Sequence, residues 1–183
     1  MKFNPLLHRR HSIRLPGYDY SRPGAYFITI CTYNKESLFG LVTGGKMVLN
    51  DYGLLVEGEW KRIPNRFPLI LLGAFMIMPN HFHGIITYMD ISHVGARQGA
   101  EITSGSCSFA SPLPANPPLG VVVGAFKSTS ARIINGLRQT PGFPVWQRNY
   151  YEHIIRDDES YLQIAEYILT NPERWEFDDM FQS

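Results

Sequence analysis

The chain has 183 residues, 44% of them hydrophobic and 18% charged, which suits one sizeable core and is too short to require two domains. Its two cysteines, Cys31 and Cys107, exclude a disulfide framework and a Cys-x-x-Cys metal site, and no apolar run is long enough to span a membrane. The N-terminus is basic and polar rather than signal-like, so we expect a cytoplasmic protein. The formal net charge of +1 gives no general sign of nucleic-acid binding.

The charges are nevertheless unevenly distributed. Residues 1–22 contain one carboxylate, Asp19, and five basic side chains: Lys2, Arg9, Arg10, Arg14 and Arg22. The last stretch carries four carboxylates instead: Glu173, Glu176, Asp178 and Asp179. A basic N-terminal arm and an acidic end permit a strongly positive local face despite the near-neutral total. A solvated terminus without a binding role explains the same pattern equally well.

The first half of the chain predicts three strands, a small hairpin and one helix. Alternation, turn residues and helix caps give their bounds: a strand over 26–33, a hairpin over 38–42 and 46–49, a helix from Asn50 or Asp51 to about Ile63, and strands over 68–78 and 81–88. Pro79 and Asn80, between the last two strands, form either a hairpin turn or a bulge.

Residues 90–118 differ in character, because glycine, serine and proline leave little to bury, and we expect a flexible insertion loop. A helix over 120–139 follows, and four residues are predicted on its core side: Val123, Phe126, Ile133 and Leu137. A strand over 145–155 and a helix over 157–171, which begins at Asp157 or Asp158 and stops at Asn171-Pro172, complete the chain.

Without the small hairpin, the order of elements is β-α-β-β-α-β plus a C-terminal helix. This order predicts an α+β fold with a ferredoxin-like antiparallel sheet backed by two helices, in a single domain over 1–183. Many functions use that fold, so it decides none of them. It does place strand 81–88 next to the centre of the sheet.

The most informative residues of that strand are His81 and His83. Side chains at i and i+2 of a strand share a face, so the two imidazoles project together while Phe82 turns to the interior. Neutral imidazole is a common ligand of divalent transition metals, and the pair therefore makes half of a metal site. A chance His-x-His in a chain with six histidines is the plainer explanation.

The final helix carries a second set of polar residues. Gln163, Tyr167 and Asn171 are spaced four apart and form one stripe. The apolar side is predicted from Leu162, Ala165, Ile168 and Leu169. A tyrosine between two amides, away from the apolar side, is either a functional group or an ordinary surface tyrosine.

Four segments in order resemble one enzyme family. Met78-Pro79-Asn80-His81-Phe82-His83 resembles the HUH motif of single-tyrosine transposases, and Tyr167-Ile168-Leu169-Thr170-Asn171 resembles their catalytic Tyr-x-x-x-Asn/Gln segment. Segments 14–20 and 146–153 also resemble this family, and the nearest branch is the REP-associated tyrosine transposases, of the insertion-sequence type. The resemblance covers nearly the whole chain except 90–118.

The resemblance implies a metal-dependent endonuclease and strand transferase acting in DNA transposition or on repetitive hairpin elements. His81, His83 and Asn171 would bind Mg²⁺ or Mn²⁺, which would polarise the scissile phosphate. Tyr167 would attack phosphorus, giving a 5′-phosphotyrosine link and a free 3′-hydroxyl. The catalytic helix is then 157–171, and it serves its own histidine pair or that of a partner in a homodimer.

Two assignments have rivals. The broader family commonly has Gln where this chain has Asn171, whose side chain is shorter, so Glu152 or His153 is an alternative ligand. Tyr150 and Tyr151 are alternative nucleophiles, but neither has an amide one helical turn away.

DNA contacts are expected to follow the basic residues, because phosphate contacts supply most affinity. We assign Lys127, Arg132 and Arg138 to a phosphate-facing helix, and Arg9, Arg10 and Arg14 to the N-terminal arm. The resemblance implies a single-stranded or hairpin substrate, on whose unpaired bases Trp146 and Tyr150 are candidates to stack.

Two other hypotheses stay open at this point. One is a catalytically silent nucleic-acid-binding module of ferredoxin-like fold. The other is a structural zinc site, which lacks the further Cys or His ligands that a closed zinc site needs.

Overall fold

The computed structural model describes residues 17–90 and 116–177, and two layers of helices enclose a sheet. The elements are, in chain order, β1 (Gly24–Cys31), β2 (Gly40–Thr43), β3 (Lys46–Leu49), α1 (Asp51–Lys61), α2 (Ile63–Arg66), β4 (Ile70–Ile77), β5 (His81–Tyr88), α3 (Leu119–Leu137), β6 (Tyr151–Ile155) and α4 (Asp158–Thr170). Short 3-10 segments follow β1, at Tyr33–Lys35, and α4, at Asn171–Phe177.

The main sheet has four antiparallel strands in the order β4-β5-β1-β6, and β2 and β3 form a separate hairpin. The predicted α+β class is thereby confirmed, and the elements follow the predicted order except that the short helix α2 was not predicted. Because β1 and β5 occupy the two central positions, the strand that carries the histidine pair lies inside the sheet rather than at an edge.

The larger core lies between the sheet and the layer formed by α1 and α3. Alternate residues of the central strands enter it, among them Ile28, Ile30 and Phe82, and Trp60 of α1 packs on Phe82 with ring centroids 4.5 Å apart. A smaller core lies on the opposite face, where Ile168 of α4 packs with three buried residues of the sheet: Phe27, Ile85 and Ile155. The two faces of the sheet therefore have different partners, and the histidines share the face covered by α4.

Gly84 tests how tightly the larger core is packed. A Cβ atom at this position would lie 2.7 Å from Trp60 and 2.8 Å from Phe82. We expect Gly84→Ala to lower the free energy of unfolding by about 1–3 kcal/mol, since inserted atoms force neighbouring rings from their positions. The matched control is Gly58→Ala in α1, where an added Cβ atom would meet no described atom within 4 Å apart from the nearby backbone of its own helix. This change is expected to raise the free energy of unfolding by up to about 1 kcal/mol. Urea titration of both variants measures the difference, and equal stabilities would contradict this packing.

Local signals placed most element ends correctly. Asn50 caps α1 by accepting a hydrogen bond from Gly53 N at 3.0 Å, and Asp157 caps α4 by accepting from Ser160 N at 2.7 Å. Pro79 and Asn80 form the turn of a β4–β5 hairpin, closed by Met78 N donating to His81 O at 2.8 Å.

The final strand is shorter than predicted. It spans Tyr151–Ile155 rather than 145–155, and before it only Trp146 forms an isolated bridge, to Thr32. The physical reason is Lys127. Its ammonium group donates hydrogen bonds to the carbonyl oxygens of residues 147, 148 and 149, at 2.7, 3.0 and 3.3 Å, and so holds this segment away from the sheet. Trp146 itself is buried and donates to Ser130 Oγ, so the proposal that it stacks on DNA was wrong.

The buried sides of the last two long helices also differ from prediction. In α3, Ile134 is buried while Leu137 is 59% exposed, and in α4 Leu162 and Leu169 are exposed. The residues that pack α4 on the sheet are Tyr161, Ile164, Ala165 and Ile168. Adjacent apolar residues allow two choices of face, and tertiary packing selects one.

No helix within 17–90 and 116–177 is both long enough and apolar enough to cross a membrane.

Candidate active site

The histidine pair forms the centre of the site. His81 and His83 project from β5 on the face covered by α4, and their ring centroids are 4.5 Å apart. Both side chains are buried. The strand alternation therefore brings the two imidazoles together as the sequence predicted, under a layer of protein that keeps them from bulk water.

A hydrogen bond to Nδ1 orients each ring. His81 Nδ1 lies 2.9 Å from Asn80 Oδ1, and His83 Nδ1 lies 2.8 Å from Thr29 Oγ1. The amide oxygen of Asn80 only accepts, so His81 carries its proton on Nδ1 and keeps the lone pair on Nε2. Thr29 pairs with His83 across β1 and β5, and its hydroxyl can accept from Nδ1 if His83 has the same tautomer. This arrangement is typical of metal-binding histidines, whose second nitrogen is held by a polar partner.

The protonation state of His83 favours a ligand role. Burial, and secondarily the neighbouring His81, hold the pKa of His83 well below its ordinary value of 6.5. The ring is consequently neutral at physiological pH. Its Nε2 atom is buried and has no hydrogen-bond partner among residues 17–90 and 116–177, so in the tautomer protonated at Nδ1 an electron pair is available inside the site.

This lowered pKa predicts a pH effect on stability in the metal-free protein. The unfolded chain binds a proton at His83 below about pH 6.5 and the folded chain does not, so the stabilisation is complete above that pH and is lost as pH falls below it. We expect the free energy of unfolding in EDTA to decline by up to about 1.4 kcal/mol per pH unit from this group. His83→Gln should show a smaller decline between pH 7 and 5 in urea titrations. Equal pH slopes in the two proteins would contradict the lowered pKa.

Tyr167 lies against the histidine pair of its own chain. Its ring centroid is 5.4 Å from that of His83 and 6.2 Å from that of Phe27, in edge-on contacts. The side chain is 42% exposed, so the tyrosine borders both the buried pair and the solvent. Tyr167 is therefore not a surface tyrosine remote from the histidines, and its assignment as the nucleophile stays a prediction.

Asn171 ends α4 and is buried. Two neighbours one turn away bracket it: Tyr167 contacts His83, and Trp175 in the following 3-10 segment lies 5.8 Å from the His81 ring. The chain between these contacts passes beside both histidines, and Asn171 lies at its middle. Its assignment as a ligand stays a prediction.

The two alternative ligands, Glu152 and His153, lie on opposite faces of the sheet. Glu152 pairs with Ile28, which faces the larger core, so its buried carboxylate lies on the opposite face from the histidines. His153 is on the histidine face but exposed, paired with Phe27. Within residues 17–90 and 116–177, no three His, Cys, Asp or Glu side chains lie close enough to hold a metal ion. A third protein ligand from this part of the chain would therefore be of another kind, such as the amide oxygen of Asn171.

The basic residues assigned to DNA lie on the other side of the sheet, on α3. Lys127 and Arg138 both face residues 143–149. Arg138 lies over the Phe143 ring, and it also donates a hydrogen bond to Asn135 Oδ1 on α3 at 2.8 Å. Lys127 forms one wall of a cavity of about 520 Å³ in this region, and burial lowers its pKa. Arg132 is exposed. Arg9, Arg10 and Arg14 lie outside the described residues, as does most of the predicted loop 90–118.

Sequence reasoning missed Thr29 and gave Asn80 no role beyond the turn. The position of Asn80 directly before His81 was a usable signal. Thr29 had none, because its partner is 54 residues away and depends on the β1–β5 register.

No family model matches the chain, but individual proteins do. An uncharacterised protein of Haemophilus influenzae is 44% identical over 189 residues, covering 98% of this chain and 97% of that protein. A second protein of that organism, named "Putative REP-associated tyrosine transposase", is 25% identical over 84% of this chain and 73% of its own length. A REP-associated tyrosine transposase solved bound to a REP hairpin has the same fold, with a TM-score of 0.54 at 18% identity over 88% of this chain and 72% of that one.

Proposed function

This chain is a distant homologue of the REP-associated tyrosine transposases, and from that premise we propose that it cleaves and rejoins single-stranded DNA. It belongs to one family with the uncharacterised Haemophilus influenzae protein, which matches it almost end to end. The proposed enzyme is a single-tyrosine HUH endonuclease and strand transferase acting on single-stranded or hairpin DNA, as in DNA transposition.

One observation carries this proposal: the exposed Tyr167 lies 5.4 Å, ring to ring, from a buried, neutral histidine whose neighbour is a second histidine. A nucleophile must meet the scissile phosphate at the solvent boundary, whereas the groups that hold that phosphate work best where water is excluded. Tyr167 and the histidine pair satisfy both requirements.

The donors present fit a divalent cation. His81 and His83 would bind it through their Nε2 atoms, with Asn171 as the oxygen donor. The Asn80 amide oxygen sets the tautomer that His81 needs, and the Thr29 hydroxyl is compatible with the same tautomer of His83. Of the two ions implied by the family, Mn²⁺ accepts nitrogen ligands more readily than Mg²⁺, which prefers oxygen. When bound, such an ion would polarise the phosphate and stabilise the charge that develops in the transition state.

The residues of the chain would perform the remaining steps. Tyr167 Oη loses its proton and forms a bond to phosphorus, while the bond from phosphorus to the 3′-oxygen breaks and that oxygen takes up a proton. The products are a 5′-phosphotyrosine and a free 3′-hydroxyl. Because the phosphoester is conserved, attack by a 3′-hydroxyl reverses the reaction without ATP. Tyr167 contacts His83 of its own chain, which supports a site formed within one protomer.

The wider assignments follow from the same premise. The strand order β4-β5-β1-β6 supports the ferredoxin-like classification, with α4 as the catalytic helix and 1–183 as a single domain. A solved relative binds a REP hairpin, which supports a hairpin substrate for this chain. The DNA contacts proposed are those of Arg132 and Arg138 on α3 and of the basic arm, whereas Lys127 is left out because its ammonium group already donates to three backbone carbonyls.

A trapping experiment tests the function. The full chain is incubated with Mn²⁺ and a library of hairpin oligonucleotides that carry randomised single-stranded flanks, and the products are separated on a denaturing gel. A 3′-end label is expected in a covalent protein adduct, and a 5′-end label in a shorter free strand, because the protein takes the 5′-phosphate. EDTA should abolish both. Binding of the hairpins without any adduct would favour the catalytically silent binding module.

The role of Thr29 gives a separate prediction. Thr29→Val keeps the shape of the side chain but removes the hydroxyl that orients His83, and such changes cost metal sites about 10- to 100-fold in affinity. We expect that loss for Mn²⁺ in calorimetric titration, whereas Thr29→Ser should stay close to the unmodified protein. Unchanged Mn²⁺ affinity in Thr29→Val would show that the hydroxyl does not support a ligand.

A further inference from the structure

Tyr151 occupies a place in the site that the proposed chemistry does not use. It is the first residue of β6, the edge strand of the sheet next to β1. Tyr151 pairs with Thr29, and Thr29 pairs with His83, so the three residues form a row across three strands on one face. Two strand spacings, about 10 Å, separate the backbones of Tyr151 and His83.

Both site tyrosines pack on the same ring. The centroids of Tyr167 and Tyr151 each lie 6.2 Å from that of Phe27, with interplanar angles of 85° and 67°. Phe27 is buried, so both tyrosines pack on a ring that the sheet itself holds in place. Such edge-on contacts fix the orientation of an aromatic ring. Tyr151 is thus a positioned side chain and not merely a surface one.

Part of the Tyr151 side chain is accessible to solvent. The side chain is 47% exposed, and the next residue on the same face of β6, His153, is exposed as well. In the described part of the chain, α4 packs chiefly on β4, at the far edge of the sheet. Among the described residues, the β6 edge is therefore the less covered side of the face that carries Tyr167. Tyr150, by contrast, is half-buried against the larger core.

Given the function proposed above, we propose that Tyr151 stacks on an unpaired base next to the phosphate that Tyr167 attacks. Every base has a π face, so a tyrosine ring held beside the histidine pair would stack on an unpaired base whatever the sequence of the DNA. The chemical class of the ligand is an unpaired nucleobase, and the contact would hold the strand in register with the histidine pair.

The experiment is a double-mutant cycle between the ring and the base. All proteins carry Tyr167→Phe, which prevents cleavage, and binding is followed by fluorescence anisotropy. One probe is a labelled hairpin oligonucleotide with single-stranded thymidine flanks, and the other has the same backbone with abasic flanks. Tyr151→Ala is compared with Tyr151→Phe, which keeps the ring, and with Leu54→Ala, which truncates an exposed apolar residue on α1, across the sheet.

We expect Tyr151→Ala to weaken binding of the thymidine probe by about 5- to 100-fold, the range for loss of one stacked base. Binding of the abasic probe should change little, and Tyr151→Phe should restore most of the affinity. Equal losses for both probes, no loss, or an equal loss in Tyr151→Phe would overturn the stacking contact while leaving the proposed function intact. Failure of the parent protein to bind either probe would overturn both.

A covalent adduct provides the last discriminating result. If Tyr167→Phe still forms an adduct with the thymidine probe, and the Tyr167→Phe, Tyr151→Phe double variant does not, then Tyr151 is a nucleophile and the stacking role is wrong.

Discussion

Tyr167→Phe is expected to abolish the covalent protein–DNA adduct while hairpin binding stays within about threefold of the parent protein. The substitution removes only the hydroxyl oxygen that would form the bond to phosphorus, and the phenyl ring has no other nucleophile. The ring keeps its edge-on contacts with His83 and Phe27, and the side chain is already 42% exposed, so little packing is lost. Adduct formation is measured on a denaturing gel and binding by anisotropy.

Tyr161→Phe is the matched control for this change. Tyr161 lies on the same helix, but it packs in the smaller core, and its hydroxyl occupies the space left by the missing side chain of Gly73 on β4. Losing that hydroxyl should leave adduct formation intact. An adduct that persists in Tyr167→Phe would refute the assignment of the nucleophile, whereas its loss in both variants would point to a general effect of disturbing α4.

The fold was predictable wherever the signal is local. Asn50 and Asp157 cap helices through residues three positions away, and strand 81–88 shows its bounds by composition and by the preceding proline. The start of β6 was not predictable, because Lys127, 20 residues away, binds the backbone that would have extended it. In α3, Ile133 and Ile134 are both apolar, and only packing against the sheet buries the second.

The site, like the fold, has parts that local patterns predict and parts that depend on tertiary packing. Strand alternation brings His81 and His83 together, and helical spacing aligns Tyr167 with Asn171, so each half could be derived from its own segment. What joins the halves is the packing of α4 over β4 and β5, which no local pattern encodes. Thr29 and Tyr151 belong to the site only through the register of β1 with its two neighbours.

His81→Ala is expected to reduce cleavage by about 100-fold or more, because loss of one ligand removes the stabilisation of developing phosphate charge that a bound cation supplies. His81 is fully buried and its Nδ1 is held by Asn80, so the ring is already placed for that role. Hairpin binding in the absence of metal should change little, since His81 is not among the residues assigned to phosphate contacts. Single-turnover cleavage in Mn²⁺ and anisotropy in EDTA separate the two effects.

Truncating a buried ring also leaves a cavity, which costs stability by itself. Added imidazole distinguishes the two causes, because it can fill the space and supply the missing nitrogen. Partial recovery of cleavage with imidazole, and no recovery with a similar volume of benzene, would identify a lost ligand rather than a damaged fold. Cleavage that is unchanged in His81→Ala would show that the pair does not hold the cation, and the buried histidines would then need a different explanation.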